Sequence, residues 1–191
     1  NETIAPKDLT GLELNGKTLG LVGAGNIGLT AANILRQGFN MNVIAYDPFI
    51  DDNLCKEYGI QKINKLEDVM SEADYITVSV PLNDSTRYII DENMLKLCKS
   101  TAIIINTSRG GVVNEKALYQ ALVHNKIFGA ASDVFEVEPP TTENPLINLD
   151  NFVSTPHIGA ATEEALERMG ETVIDEVLTV LEGKTPKFRV V

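Results

Sequence analysis

Short apolar runs alternate with amphipathic stretches along most of the chain. Runs bounded by glycine, proline or asparagine predict buried strands, whereas apolar residues that recur every three or four positions predict helices. The predicted strands span residues 19–22, 41–46, 60–63, 75–80, 101–105, 128–132 and 152–154. The predicted helices begin at Asn26, Asp51, Lys65, Asp91 and Asn114. This alternation without hairpin turns indicates an α/β fold with a doubly wound parallel sheet between two helix layers.

The last periodic stretch, Thr162 to Glu182, carries its apolar residues on one face. Thr162 is a suitable N-cap, and Gly183 is a suitable C-cap. An amphipathic helix usually buries its apolar face, so we expect this helix to pack on the sheet. Residues 1–15 are expected to form a lead-in without chemistry of their own, and residues 184–191 a terminal segment.

A glycine-rich turn, Gly23-Ala24-Gly25-Asn26-Ile27-Gly28, joins the first predicted strand to the first predicted helix. In such a turn Gly23 permits the tight bend, Gly25 leaves space for phosphates, and Gly28 lets the helix approach the strand. The helix N-terminus offers unpaired N–H groups and its dipole to an anion. Because this motif lies between a strand and a helix, it predicts a site for the pyrophosphate of a dinucleotide.

Asp47 ends the second predicted strand, nineteen residues after Gly28. This is close to the ~20 residues expected for the acidic group that bonds a ribose 2′-hydroxyl. A carboxylate there repels a 2′-phosphate, and residues 48–50 contain no Arg or Lys. The sequence therefore favours NAD over NADP as the cofactor. The alternative is that Asp47 only forms a turn before Pro48.

Polar and ionisable residues follow the carboxyl ends of the later strands, where ligands of a doubly wound sheet bind. A nicotinamide enzyme that reduces a 2-oxo acid needs a cation for the substrate carboxylate, a proton donor, and a carboxylate that orients the donor. Arg109, His157 and Glu138 can supply these groups, and histidine suits proton exchange because its unperturbed pKa is about 6.5. Each residue alone also has an ordinary interpretation, as a surface cation, a hydrogen-bonded structural histidine and a solvated acid.

Composition limits the classes of partner and the cellular compartment that the chain is expected to have. The chain of 191 residues suits one domain, or one domain plus an appendage. Its net charge of −11, without a basic stripe or a polybasic run, argues against nucleic acid or an anionic membrane as a partner. No apolar stretch approaches the ~18 residues of a membrane span. Cys55 and Cys98 stand alone, as is usual in the reducing cytoplasm. The first residue is Asn rather than Met, so a fragment or a processed product is one interpretation.

Four motifs follow one another along the chain: Gly23–Gly28 with Asp47, Asn106–Gly111, Asp133–Pro139 and Thr155–Ala160. Together they resemble the D-isomer-specific 2-hydroxyacid dehydrogenases, and most of all the branch of D-3-phosphoglycerate dehydrogenase and hydroxypyruvate reductase. It runs from about residue 16 to the C-terminus and implies a Rossmann-like fold. Glu138 separates the chain from the formate dehydrogenases of the same superfamily, which carry Gln in that role.

The resemblance also implies roles for individual residues. Arg109 would bind the substrate carboxylate and carbonyl oxygen, His157 would be the acid–base residue, and Glu138 would bond to its imidazole. The cofactor NAD would be bound by Gly23, Gly25, Asn26, Ile27, Gly28, Asp47, Val80, Pro81, Thr107, Ser108, Arg109, Asp133, His157 and Gly159. No metal is implied.

The implied activity is hydride transfer between NAD(H) and C2 of a D-2-hydroxy acid or 2-oxo acid, such as 3-phosphoglycerate, hydroxypyruvate or glyoxylate, in a cytoplasmic homodimer. The chain departs from the family at Ser79, where many relatives carry His. It also lacks a substrate domain, of which only the return segment at 184–191 is expected here, so the domain alone should bind NAD with little turnover. One alternative is an NAD-sensing regulatory scaffold, like the corepressors of this superfamily, and another is a cofactor domain used only structurally.

Overall fold

The computed structural model describes residues 10–189, in which strands and helices alternate as predicted. The strands are β1 (Thr18–Val22), β2 (Asn42–Tyr46), β3 (Gln61–Lys62), β4 (Tyr75–Val78), β5 (Ile103–Asn106), β6 (Gly129–Ser132) and β7 (Phe152–Ser154). The helices are α1 (Asn26–Phe39), α2 (Asp52–Tyr58), α3 (Leu66–Glu72), α4 (Glu92–Leu97), α5 (Glu115–Val123) and α6 (Glu163–Leu181). A short 3₁₀ helix, Pro145–Asn148, was not predicted.

The strands form one seven-stranded sheet in the order β3-β2-β1-β4-β5-β6-β7, and every neighbouring pair is parallel. The predicted Rossmann-like α/β class is therefore confirmed. The strand order reverses between β1 and β4, and this reversal is where such sheets open a ligand crevice. Val22, the last residue of β1, pairs with Tyr46 of β2 and Val78 of β4, so these three strands end at one level.

Two clusters of buried apolar side chains hold the helices to the sheet. One cluster contains side chains of α3, α4 and α5, including Met70, Leu95 and Leu122. The other contains side chains of α1 and α2, including Ala32 and Cys55. Strands enclosed by two such clusters are apolar almost continuously, which explains the short apolar runs in the sequence.

The boundary between two compact units falls between Pro156 and His157. In the second unit, Thr162 caps α6 by accepting a hydrogen bond from the Ala165 N–H at 3.1 Å, as its sequence predicts. The predicted burial of the apolar face is not observed: no residue of α6 is buried, and Leu181 is 77% exposed. Within residues 157–189, α6 is the one helix or strand, and Pro186 and Phe188 are the residues outside it that line a groove with its apolar side chains. This part of the chain therefore contains no second element that could cover the face.

Other features bear on the class of protein. Within residues 10–189, no helix has the length and apolar character that a membrane span requires. Over the same residues, no group of three or more His, Cys, Asp or Glu side chains is arranged to hold a metal ion. Cys55 and Cys98 are both buried as free thiols.

Candidate active site

The glycine turn after β1 contains three glycines in different surroundings. Gly23 has a φ of +92°, a left-handed conformation that favours glycine, and a Cβ there would lie 2.7 Å from the Ser79 carbonyl oxygen. A Cβ on Gly28 would lie 2.5 Å from the Gly23 carbonyl oxygen. A Cβ on Gly25 would meet nothing within 4 Å. Gly23 and Gly28 are thus required by the fold, whereas Gly25 borders open space.

Helix α1 begins at this open space. Its N-cap is Gly25, which has no side chain to cap the helix, and its first turn contains no acidic residue. The first intrahelical hydrogen bond is donated by the Leu29 N–H, so the N–H groups before it have no helical partner. Ile27 in this turn is 63% exposed. An uncapped helix N-terminus beside a glycine is a site suited to a phosphate group.

The Asp47 carboxylate lies beside the same turn. Its Oδ2 accepts a hydrogen bond from the Ala24 N–H at 2.8 Å, and its Oδ1 accepts one from the Phe49 N–H at 2.8 Å. The bond from the Phe49 N–H shows that Asp47 does form the turn before Phe49, which was the alternative interpretation of this residue. Turn formation does not prevent ribose binding. Each carboxylate oxygen has two lone pairs, so the group can still accept hydrogen bonds from a ribose diol.

The loop after β4 borders the other side of the turn. A Cβ on Gly23 would lie 2.7 Å from Cγ1 of Val80, which places Val80 against the glycine turn. The Ser79 hydroxyl is buried and has no hydrogen-bond partner among the described residues. The open space at Gly25, the uncapped helix and the Asp47 carboxylate lie at one edge of the sheet. Together they fit the pyrophosphate and ribose of a dinucleotide.

Asn106, the last residue of β5, organises the turn that carries Arg109. Its buried side chain accepts hydrogen bonds from the Ser108 N–H and hydroxyl at 3.0 and 2.7 Å, and donates one to the Arg109 carbonyl oxygen at 3.2 Å. Nη1 of Arg109 donates to the Ser108 carbonyl oxygen at 2.7 Å. Thr107 and Arg109 are exposed on this turn. The buried side chain of Asn106 therefore fixes the main chain of this turn, while Arg109 is exposed to solvent.

The loop after β6 carries Asp133 and Glu138. The Asp133 N–H donates to the Asn106 carbonyl oxygen at 3.0 Å, and the Phe135 N–H donates to Oε1 of Glu138 at 3.0 Å. A Cβ on Gly110 would overlap the Phe135 carbonyl group. The loop of Glu138 and the turn of Arg109 are thus in direct contact, as the shared sheet edge predicts.

His157 is the first residue of the second unit and is exposed. Its φ of +58° is left-handed, a conformation that costs a non-glycine residue of order 1 kcal/mol and that is concentrated at functional sites. Two residues earlier, Thr155 donates from its N–H to the Ser132 carbonyl oxygen and from its hydroxyl to Asp133. The pairing of His157 with Glu138, and the cofactor role of Gly159, stay predictions.

Sequence reasoning missed a polar cluster beside this site. Glu115 at the start of α5 and Glu136 in the Glu138 loop bond to each other and to Tyr88 and Asn144. Glutamates at helix starts and in loops are common, so the sequence carries no signal for this contact. Only the fold brings the four residues together.

Comparison with known proteins agrees with this geometry. Residues 1–159 match the family model described as the NAD binding domain of D-isomer specific 2-hydroxyacid dehydrogenase. D-3-phosphoglycerate dehydrogenase from Methanocaldococcus jannaschii is 45% identical over 178 residues, which are 93% of this chain and 34% of that protein. Hydroxypyruvate reductase from Thermotoga maritima is 46% identical over 178 residues, which are 92% of this chain and 56% of that protein.

The fold is also found in solved structures. The TT0316 protein from Thermus thermophilus matches all of this chain with a TM-score of 0.89 and 37% identity, and the match covers 58% of that structure. The chain spans between about a third and somewhat more than half of the length of these relatives. It belongs to the D-isomer specific 2-hydroxyacid dehydrogenase family and comprises the family's NAD-binding domain.

Proposed function

We propose that this chain is the cofactor-binding part of an enzyme that interconverts a D-2-hydroxy acid and the corresponding 2-oxo acid. The observation that carries the proposal is the direct contact between the Arg109 turn and the Glu138 loop at the edge of the sheet where the glycine turn opens. The names of the similar proteins, phosphoglycerate dehydrogenase and hydroxypyruvate reductase, support it.

The groups for cofactor binding lie along this edge. The first N–H groups of α1, at Asn26 and Ile27, would bind the pyrophosphate in the space beside Gly25, and Asp47 would bind the adenosine ribose. Val80 and Pro81 would lie beside the adenosine half. Thr107, Ser108 and Asp133 would lie along the nicotinamide half. When bound, the cofactor supplies or accepts a hydride at C4 of its nicotinamide ring.

The protein's own residues perform the remaining steps. The Arg109 guanidinium pairs with the substrate carboxylate and polarises the carbonyl oxygen. In the reductive direction C2 gains the hydride, and protonated His157 donates its proton to the carbonyl oxygen, which becomes the hydroxyl. In the oxidative direction neutral His157 accepts this proton. Glu138 orients the imidazole throughout.

The chain alone contains only one side of the predicted substrate cleft, so we expect it to bind NADH with little or no turnover. For the whole protein we propose three-carbon or smaller 2-oxo acids as substrates, with hydroxypyruvate, glyoxylate and phosphohydroxypyruvate as the first candidates. We also propose a cytoplasmic homodimer. Two buried free thiols are consistent with a reducing compartment.

The test is NADH oxidation by the full natural protein with hydroxypyruvate, glyoxylate, phosphohydroxypyruvate and pyruvate. His157→Ala should lower kcat by about 10²-fold or more, because general acid–base catalysis supplies that much, and should leave NADH affinity within about twofold. His124→Ala is the matched control, since the His124 ring pairs with the Gln120 carbonyl oxygen at the end of α5, away from the Arg109 turn and the Glu138 loop. If NADH binds but no oxo acid is reduced, the regulatory scaffold replaces this proposal.

A further inference from the structure

Glu115 and Glu136 form a reciprocal link across 21 positions of the chain. The Glu115 N–H donates to Oε1 of Glu136 at 3.1 Å, and the Glu136 N–H donates to Oε1 of Glu115 at 2.5 Å. Each carboxylate thus accepts a main-chain hydrogen bond from the other residue. The link connects the first turn of α5 to the loop that carries Glu138. Because Glu136 lies at the N-terminal end of α5, the helix dipole favours its negative charge.

The second oxygen of each carboxylate also has a donor. The Tyr88 hydroxyl donates to Oε2 of Glu136 at 2.9 Å, and the Asn144 side chain donates to Oε2 of Glu115 at 2.9 Å. All four carboxylate oxygens are therefore hydrogen-bonded. We call these four residues the carboxylate brace. The hydrogen bond to Glu136 raises the pKa of the Tyr88 phenol.

The brace also reaches the turn that carries Arg109. Tyr88 has a left-handed φ of +53°, and its N–H donates to the Gly111 carbonyl oxygen at 2.8 Å. Gly111 lies two residues after Arg109. One tyrosine therefore holds the Arg109 segment through its main chain and the Glu138 loop through its hydroxyl.

The position of Glu138 depends on this anchoring. Glu138 is exposed, and Oε1 of its carboxylate accepts a hydrogen bond from the Phe135 N–H, which closes a short turn over residues 135–138. Glu136 lies inside this turn and is tied to α5 by the brace. Without the brace, the turn would keep its internal bond but lose its attachment to the helix.

We propose that Glu136 is a positioning residue that fixes Glu138 relative to Arg109 through its hydrogen bonds to Glu115 and Tyr88. Glu136 itself has no contact with the reacting atoms in this role. The inference rests on the proposed function, since Glu138 matters there only by orienting the acid–base residue. Loss of the brace should reduce the rate of the chemical step and leave cofactor binding intact, because the glycine turn and Asp47 lie outside it.

The test compares Glu136→Ala with Glu136→Gln in the full natural protein. Alanine removes both acceptors. Glutamine keeps the geometry, since its amide oxygen can accept from the Glu115 N–H and its amide nitrogen can donate to the Tyr88 oxygen. We expect alanine to lower kcat about tenfold with KM for NADH within about twofold, and glutamine to restore kcat to within about threefold of wild type. Glu143→Ala, which removes a nearby exposed carboxylate outside the brace, should have no effect.

A wild-type kcat in Glu136→Ala would overturn the inference, and so would a glutamine variant as slow as the alanine variant. If Glu136→Ala does not fold, Tyr88→Phe removes a single donor and should lower kcat about two- to threefold, while an unchanged kcat overturns the inference. Amide hydrogen exchange separates the two proposals. In Glu136→Ala, faster exchange at the amides of residues 115 and 136, which link the turn to α5, supports the brace. This holds even if wild type reduces no oxo acid, a result that would end the proposed function alone. Unchanged exchange at these two amides overturns the brace.

Discussion

The substitution Gly25→Ala should weaken NADH binding strongly and change the stability of the fold very little. Gly25 has a φ of −74° and a ψ of −169°, which any L-residue adopts, and a Cβ there would meet nothing within 4 Å. Alanine at an N-cap costs about 0.5 to 1 kcal/mol relative to glycine, and the lower conformational entropy of the unfolded chain offsets about 0.4 to 1 kcal/mol of this cost. The free energy of unfolding should therefore change by less than about 1 kcal/mol.

The effect of Gly25→Ala on binding should be much larger. The added methyl group occupies the space beside the first N–H groups of α1, where the pyrophosphate must approach. Loss of one hydrogen bond to a charged group costs about 1.5 to 3 kcal/mol. This corresponds to an NADH affinity about 10- to 100-fold weaker than that of wild type.

Gly28→Ala is the matched comparison, because it adds the same methyl group to the same motif. Its Cβ would lie 2.5 Å from the Gly23 carbonyl oxygen, a main-chain atom that cannot move freely. Overpacking costs about 1 to 3 kcal/mol, and the higher helix propensity of alanine returns up to about 1 kcal/mol. We therefore expect this variant to lose about 1 to 2 kcal/mol of stability.

Urea unfolding and titration of NADH fluorescence with the 191-residue chain measure both quantities for each variant. An alanine at position 25 that binds NADH within twofold of wild type would refute the role of Gly25. If Gly25→Ala destabilises the fold as much as Gly28→Ala does, the claim that a methyl group at position 25 meets no neighbouring atom is refuted.

Three further predictions concern stability and reactivity. Ser79→Ala removes a buried hydroxyl without a partner among the described residues, so urea unfolding should show a gain of about 1 kcal/mol; a loss would contradict the prediction. Burial opposes ionisation of Asp74, but hydrogen bonds from Lys99 and a main-chain N–H outweigh it and lower the pKa of Asp74. This stabilisation is present above about pH 4 and lost at lower pH, so Asp74→Asn should cost about 1 kcal/mol at pH 7 and less at pH 3. Glu143→Gln, at an exposed carboxylate, is the control, and equal costs of Asp74→Asn at both pH values would contradict the prediction. Burial raises the pKa of Cys98 to about 11, so a thiol reagent at pH 8 should label it only after unfolding.

Local signals in the sequence located most elements of the sheet. The apolar run before Gly23 and the helical spacing after Asn26 place both bounds of β1 and the start of α1 within a residue of their observed positions. The prediction extended β4 to Val80, but the strand ends at Val78. Residues 79 and 80 have the composition of a strand, yet their course is set by the contact with Gly23, which sequence spacing does not reveal.

Features that depend on contacts between distant segments of the chain could not be predicted from the sequence. The apolar face of α6 has the periodicity of a buried helix, but whether such a face is covered depends on what lies beside it, and the helix itself carries no information on that point. The sequence presents Glu136 only as a member of the motif Asp133–Pro139, because its bonds to Glu115 and Tyr88 form between segments that only the fold brings together. The residues with strict backbone requirements, such as Gly23 and Gly28, were predictable because their chemistry is local.

The most direct test of the central claim uses the full natural protein, NADH carrying deuterium at C4 of the nicotinamide, and the 2-oxo acid of three or more carbons that the protein reduces fastest, so that the product has a chiral C2. We expect the product to be the D-2-hydroxy acid, with deuterium from one face of the nicotinamide ring bound at its C2, and we expect His157→Ala to slow its formation by about 10²-fold or more. A product without deuterium at C2, or an L-2-hydroxy acid, would contradict the account.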